Sequence, residues 1–233
     1  MKLRPKMTRR DFMAAAGGSI VSIGLPGMFV KVMGIENQAL AAELRPDGRR
    51  RIPPGQHAVK KLPSMGVNQT DGNVSEWRLE ISGEVENPLT LNLSDLMGLK
   101  QITQTCDVHC VTRWTLLDSR WQGISMKTIM ELVRVIKDAG FVIFEAPGGY
   151  SSSIPLDEAY KDNVLLAHGF SDQALPLDHG APLRLLVPDL YFYKSVKWLQ
   201  GIRFSILDEP GYYESHGYSN SADPWKEERF DEN

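Results

Sequence analysis

The chain has 233 residues, 42% hydrophobic and 24% charged, with a formal net charge of −3. That composition excludes a disordered or fibrous chain, and the length suits one domain with appendages whose core needs no disulfide staples. The acidic balance argues against nucleic acid as a partner.

Residues 1–41 read as an address. Thr8-Arg9-Arg10-Asp11-Phe12-Met13 is a twin-arginine pattern, followed by an uncharged run from Met13 to Val30 and by small residues at Ala39-Leu40-Ala41. The expectation is export by the twin-arginine machinery to a periplasmic or other extracytoplasmic place. The run just reaches a membrane span in length, so a retained N-terminal anchor is the alternative. Loss of residues 1–41 removes six basic and two acidic groups and takes the net charge from −3 to −7. An anionic ligand would then need a local basic pocket.

Residues 42–75 form an arm rich in Pro, Gly, Lys and Arg, centred on Arg51-Ile52-Pro53-Pro54-Gly55-Gln56. Its composition reads as an extended linker. The folded domain spans residues 76–233. Trp77, Leu79 and Ile81 alternate with charged residues and predict a strand, and Leu89, Leu91 and Leu93 predict a second. Ser94 is placed to cap a short helical turn over Asp95-Leu96-Met97. Gln101 to Val108 reads as a strand running into Cys110, ahead of a tryptophan-bounded loop ending at Trp121-Gln122-Gly123.

The clearest helix begins at Ser125, with Ile129, Leu132, Val133 and Ile136 on one face and Gly140 as its stop. Strands follow at 141–144, 164–167, 184–187 and 202–206, with a short helix at 156–160. The tail from Gly211 is aromatic and charged. Many short strands with few helices predict a strand-rich, mixed α+β single domain.

Both cysteines lie in Gln104-Thr105-Cys106-Asp107-Val108-His109-Cys110-Val111-Thr112-Arg113-Trp114. A disulfide is chemically allowed in an exported chain; two residues four apart on one extended strand are too distant to bridge, though a tight turn could bring them together. A zinc site from both cysteines and His109 lacks a second ligand pair. A third reading is one functional thiolate, Cys110, with Cys106 structural. Thiolates serve as nucleophiles or soft-metal ligands.

His109-Cys110-Val111-Thr112-Arg113-Trp114, with Trp121-Gln122-Gly123-Ile124 after it, resembles the cofactor-cysteine segment of the sulfite oxidase-like molybdopterin oxidoreductases, in particular their small bacterial haem-free members. The resemblance continues in Asp178-His179-Gly180-Ala181-Pro182-Leu183-Arg184, in Tyr193-Lys194-Ser195-Val196-Lys197-Trp198-Leu199 and in the arm around Arg51 to Gln56. It implies a sulfite oxidase-like fold and a molybdenum centre with one pterin per metal. Cys110 would supply the protein thiolate. His179, Arg184, Lys194, Ser195 and Lys197 would hold the pterin and its phosphate. Ser151 or Ser152 would add a small polar contact, and His57 would reach in from an arm folded back over the site. Tyr213 and Tyr218 repeat the family's Trp-to-Tyr spacing, which puts Tyr218 beside the metal, where it could protonate a substrate oxygen.

Arg184 opening an apolar strand has no evident structural purpose, whereas Lys194 and Lys197 also read as solvated edge residues and His179 as a turn residue. Two positions depart from the family. Sulfite oxidases carry arginines just after the cysteine, where Val111-Thr112-Arg113 stands. The periplasmic methionine-sulfoxide reductases carry Glu two residues after it, where Thr112 stands. The expected activity is two-electron oxygen-atom transfer on a small sulfite- or sulfoxide-type substrate. No Cys-x-x-Cys-His and no four-cysteine cluster occurs, so electrons must pass through a separate partner, a membrane cytochrome or a quinone-linked subunit. The alternatives are a cofactor-free exported binding protein on the same fold and a Cys110/His109 thiol hydrolase.

Overall fold

The structure is a computed structural model that describes residues 43–65 and 76–231. The twin-arginine pattern and the uncharged run after it lie outside these residues. No helix among the described residues is long and apolar enough to cross a membrane.

Two sheets make up the domain. The first holds β1 (His57–Val59), β4 (Gln101–His109), β5 (Trp114–Ser125), β8 (Leu165–Phe170), β9 (Gln173–Ala174) and β10 (Arg184–Leu186). The second runs β3 (Leu89–Leu91), β2 (Leu79–Gly83), β11 (Gly201–Ser205), β6 (Phe141–Glu145) and β7 (Ser151–Pro155) in spatial order. Pairing is antiparallel except for β1 on β5 and β11 on β2. This is the strand-rich mixed α+β fold that the sequence predicts.

Side-chain alternation along the strands divides the apolar residues between two cores. Ile124, Leu166 and Leu185 point from the first sheet into the larger core, which they share with Leu79, Ile81, Phe144, Ile202 and Phe204 of the second. Their strand neighbours Trp121, Leu165, Ala167 and Leu186 point the other way, into a smaller core with Val108, Cys110 and Trp114. Arg184 sits one residue before Leu185 and therefore on this second side, facing Trp121 and Phe192. Gly123 is required where β5 and β8 cross, because a Cβ there would lie 2.1 Å from the Leu166 carbonyl oxygen.

Among the described residues the α-helices are α1 (Leu93–Met97), α2 (Met126–Val133) and α3 (Leu156–Ala159). The cap of α1 is Asn92, not Ser94, in a reciprocal capping box with Asp95. The helix α2 ends earlier than its periodicity suggests. Arg134 takes a left-handed φ of 53° and Val135 then pairs with Val85. Its buried face is Met126, Ile129, Met130 and Val133, which leaves Leu132 and Ile136 each 40% exposed. The expected loop before Trp121 is strand β5, twelve residues long and paired along most of β4.

The arm is docked rather than extended. Ile52 and Pro53 are buried, and β1 pairs with the start of β5. The Arg51 guanidinium donates to Asp107 at 2.6 and 2.9 Å and to Asp118 at 2.7 Å. Those two carboxylates flank the bulge where the register of β4 and β5 shifts between Cys106 and Val108.

Candidate active site

The β4–β5 hairpin turns at Cys110–Arg113. The Arg113 N–H donates to the Cys110 carbonyl at 3.0 Å, the Cys110 N–H donates to Trp114 O at 2.8 Å, and Arg113 takes a left-handed φ of 76°. The turn presents Cys110 to a cavity of about 520 Å³. The Thr112 hydroxyl donates to Cys110 Sγ at 3.1 Å. Burial pushes the Cys110 thiol up, against the pull of that hydroxyl and of the nearby Arg229 charge. A metal ion overrides such a burial penalty, because ligation holds the sulfur as thiolate.

The far wall is basic. Arg184 is 1% exposed and has no carboxylate within ion-pair distance among the described residues. Its guanidinium donates to the carbonyls of His179, Ser195 and Leu185, at 2.9, 2.9 and 3.3 Å, and lies over the Phe192 ring at 4.3 Å. Burial depresses its pKa to about 9. Lys197 reaches the same cavity with Nζ on the carbonyls of Met65 and Asp178 and also lacks a carboxylate partner. Burial and the Arg184 charge depress it to about 8. His179 lines the wall beside them, its pKa lowered by burial. Ser195 lines it too; its hydroxyl oxygen accepts from the Val187 N–H at 2.9 Å, so its own proton remains free to donate. A buried cation is ordinarily paired, so the buried Arg184 without a carboxylate among the described residues, with the half-buried Lys197 on the same wall, fits an anionic ligand.

The tail closes the third side. Tyr213 and Tyr218 line the cavity with Tyr193 and Tyr150, their rings in edge contact at 5.0 to 5.7 Å. Pro63 and Met65 of the arm line the mouth.

Four expected contacts lie elsewhere. His57 is exposed on β1, opposite Trp114 in the register, and does not line the cavity; the arm contributes Pro63 and Met65 instead. Ser151 lies at the start of β7, where its carbonyl accepts from the Tyr212 N–H at 2.9 Å, and it does not line the cavity either. Ser152 is buried with its hydroxyl donating to Glu214 at 2.7 Å. Lys194 is fully buried and pairs with the same Glu214 oxygen at 2.5 Å, with further bonds to Ser153 O and Asn220. Strand alternation turns Ser152, and the 3-10 turn at 192–194 turns Lys194, toward the tail.

The two cysteines are free. Cys106 packs beside Ser119, its thiol pushed up to about 12 by burial. His109 points to the opposite face of β4, where Nδ1 meets Thr115 at 3.0 Å and the ring edges Trp225. Burial lowers its pKa to about 3, and the ring, held against Thr115 and Trp225, does not line the cavity that Cys110 faces, so it is not placed to serve Cys110 as a general base. That removes the thiol-hydrolase reading. Arg113 is exposed and absent from the lining. Arg229 is a cation near Cys110 that the sequence reading passed over among the charges of the tail.

Residues 64–213 match the family model of the oxidoreductase molybdopterin-binding domain. The uncharacterized oxidoreductase YuiH of Bacillus subtilis is 36% identical over 186 residues, covering 79% of this chain and 94% of that one. The catalytic subunit MsrP of the protein-methionine-sulfoxide reductase of Campylobacter jejuni is 30% identical over 164 residues, 63% of this chain and 55% of its own length. The chain thus spans about half of that relative. The sulfane dehydrogenase SoxCD of Paracoccus pantotrophus superposes with a TM-score of 0.54 at 22% identity, covering 59% of this chain and 40% of that one, a likeness of fold. The chain belongs to the sulfite oxidase-like family of molybdopterin-binding oxidoreductases and is a molybdenum-dependent enzyme.

Proposed function

We propose that the chain catalyses two-electron oxygen-atom transfer on a small sulfur-containing substrate of the sulfoxide or sulfite type. The observation that carries this reading is the buried, unpaired Arg184 facing the same cavity as Cys110. The molybdenum cofactor, one pterin per metal, would supply the two-electron redox chemistry. Its anionic group suits Arg184 and Lys197, whose depressed pKa values a bound anion would restore. His179 and the free hydroxyl proton of Ser195 would add neutral hydrogen bonds. Cys110 would supply the thiolate, with Thr112 orienting its sulfur. The Tyr218 phenol, which lines the cavity, would give a proton to a substrate oxygen. The rings of Trp114, Phe192 and the tyrosines keep water from the reacting atoms.

Within this reading a neutral sulfoxide suits the site better than sulfite. The cavity-lining residues of the cysteine turn beyond Cys110 are the uncharged Val111 and Thr112, and its one cation, Arg113, is exposed. The Arg9-Arg10 pattern supports export by the twin-arginine route and an extracytoplasmic place for the enzyme. Electrons would then come from a separate membrane cytochrome or quinone-linked subunit.

Metal analysis of protein made in a molybdenum-replete host tests this proposal. Molybdenum should be stoichiometric with the chain. Cys110→Ser should remove the protein sulfur from the metal's X-ray absorption spectrum and reduce sulfoxide turnover by at least about 100-fold, while Cys106→Ser retains both. A damaging Cys106→Ser with a silent Cys110→Ser would overturn the assignment. Turnover of sulfite but not of sulfoxides would reverse the substrate order.

A further inference from the structure

Three segments distant in sequence meet beneath the Cys110 turn, on the side away from the substrate. From the arm, Gln56 Nε2 donates to the Cys110 carbonyl at 3.0 Å. From the tail, Arg229 Nη1 donates to the Val111 carbonyl at 2.5 Å. Tyr191 lies under Arg229, with the guanidinium carbon 4.9 Å from its ring centroid. Arg229 is only 7% exposed. Its Nε and Nη2 are buried without a hydrogen-bond partner among the described residues, and the Tyr191 hydroxyl lies beside Gln56. The Glu227 carboxylate stands 3.6 Å from Arg229 Nη2, too far for a hydrogen bond. A side chain at position 55 would need the Glu227 carboxylate to shift and would strain the backbone. A Cβ there would lie 2.6 Å from Glu227 Oε1 and 3.6 Å from Arg229 Nη2, and φ is +68°.

We infer that Gln56 and Arg229 are positioning residues for Cys110, which clamp the two carbonyls of its turn from the arm and the tail and so fix where its sulfur meets the metal. Neither lies in the matched segment 64–213. The ligand geometry would then depend on residues on either side of that segment. The turn's own bonds are two backbone contacts around a left-handed Arg113. A β-hairpin tip held so lightly opens readily. A charge-assisted bond to Val111 O and an amide bond to Cys110 O oppose that opening without touching substrate or cofactor. The inference rests on the proposed role of Cys110 as the metal's thiolate.

The experiment uses the full chain in two states. In cofactor-free protein, amide hydrogen exchange is followed at Cys110 and Arg113, with the amides of α2 as a control for the whole fold. In loaded protein, the paramagnetic resonance of the half-reduced molybdenum is recorded. Arg229→Met should speed exchange in the turn by about tenfold and Gln56→Leu by a few-fold, with α2 unchanged. Both should shift or broaden the metal signal, and Arg229→Lys should restore most of the wild-type signal. Unchanged turn exchange in both variants overturns the inference, as does faster exchange of turn and α2 together. If Arg229→Met fails to fold, Gln56→Leu and Arg229→Lys decide by the same criteria. Faster turn exchange with a metal signal indifferent to Cys110→Ser would leave the clamp standing and refute the ligand assignment instead.

Discussion

Arg184 and Lys194 are both buried cations of adjacent segments, 1% and 0% exposed, and the molecule treats them oppositely. Lys194 is neutralised by the chain itself, through Glu214, Ser153 O and Asn220. Arg184 is hydrogen-bonded to carbonyls and left without a counter-charge. The first is a tie between β7 and the tail; the second is half of an interaction that a ligand completes. Burial and charge alone do not mark a binding residue, whereas an unmatched charge facing a cavity does.

The largest effect that could break this contrast is on stability. Lys194→Met leaves the Glu214 carboxylate buried beside Ser152 alone and should cost about 3–5 kcal/mol of unfolding free energy, read by urea titration. Arg184→Met should cost cofactor-free protein less than about 1.5 kcal/mol, because it removes an unpaired charge along with its hydrogen bonds. The same Arg184→Met should weaken cofactor retention by about 10–100-fold, read as molybdenum remaining after gel filtration. If Lys194→Met instead lost cofactor with stability intact, the two roles would have to be exchanged. A smaller effect comes from Lys194→Met combined with Glu214→Leu. The double variant should return to within about 1.5 kcal/mol of wild type, since an apolar pair of similar volume often replaces a buried ion pair at little cost.

The smallest effect is in the pH dependence. Lys197 and Arg184 are depressed to about 8 and about 9 in the folded chain. A guanidinium keeps its proton across this range, so Lys197 carries the effect: above about 8 the unfolded chain holds more protons there than the folded one, and cofactor-free protein should gain stability as pH rises. A bound anion restores the charged forms, so loaded protein should lack this gain, and cofactor retention should weaken as Lys197 loses its proton. Denaturant midpoints of the two forms between pH 7 and 9.5, taken side by side, check the sign.

Much of the fold is legible in the sequence because strand alternation survives in it. Leu79 and Ile81, Leu89 and Leu91, and Ile202 and Phe204 all sit where period-two spacing puts them. The helix α2 was misjudged at its end because Leu132 and Ile136 carry the right spacing but Arg134 has already left the helix. The strand β5 was hidden because its polar residues Asp118, Ser119 and Arg120 belong to a bulged, partly exposed edge.

In the site, Arg184 was recognisable as a charge with no structural reason to open an apolar strand. Lys194 was not, because its partner Glu214 lies twenty residues on, in a tail without periodicity. Arg229 was invisible for the same reason: its target is a backbone carbonyl, which leaves no residue pattern to read.

The tail's position also sets an order of events. Glu214, Tyr218 and Arg229 are synthesised after the strands and the cysteine turn they serve, yet they tie β7, wall the cavity and clamp that turn. While residues 214–229 remain inside the ribosome, the cavity lacks a side and Cys110 lacks its second clamp. Under the proposed reading, cofactor insertion would wait until Arg229 has left the ribosome, and a chain cut before Arg229 would keep the motif for its cofactor and lose the means of holding that motif in place.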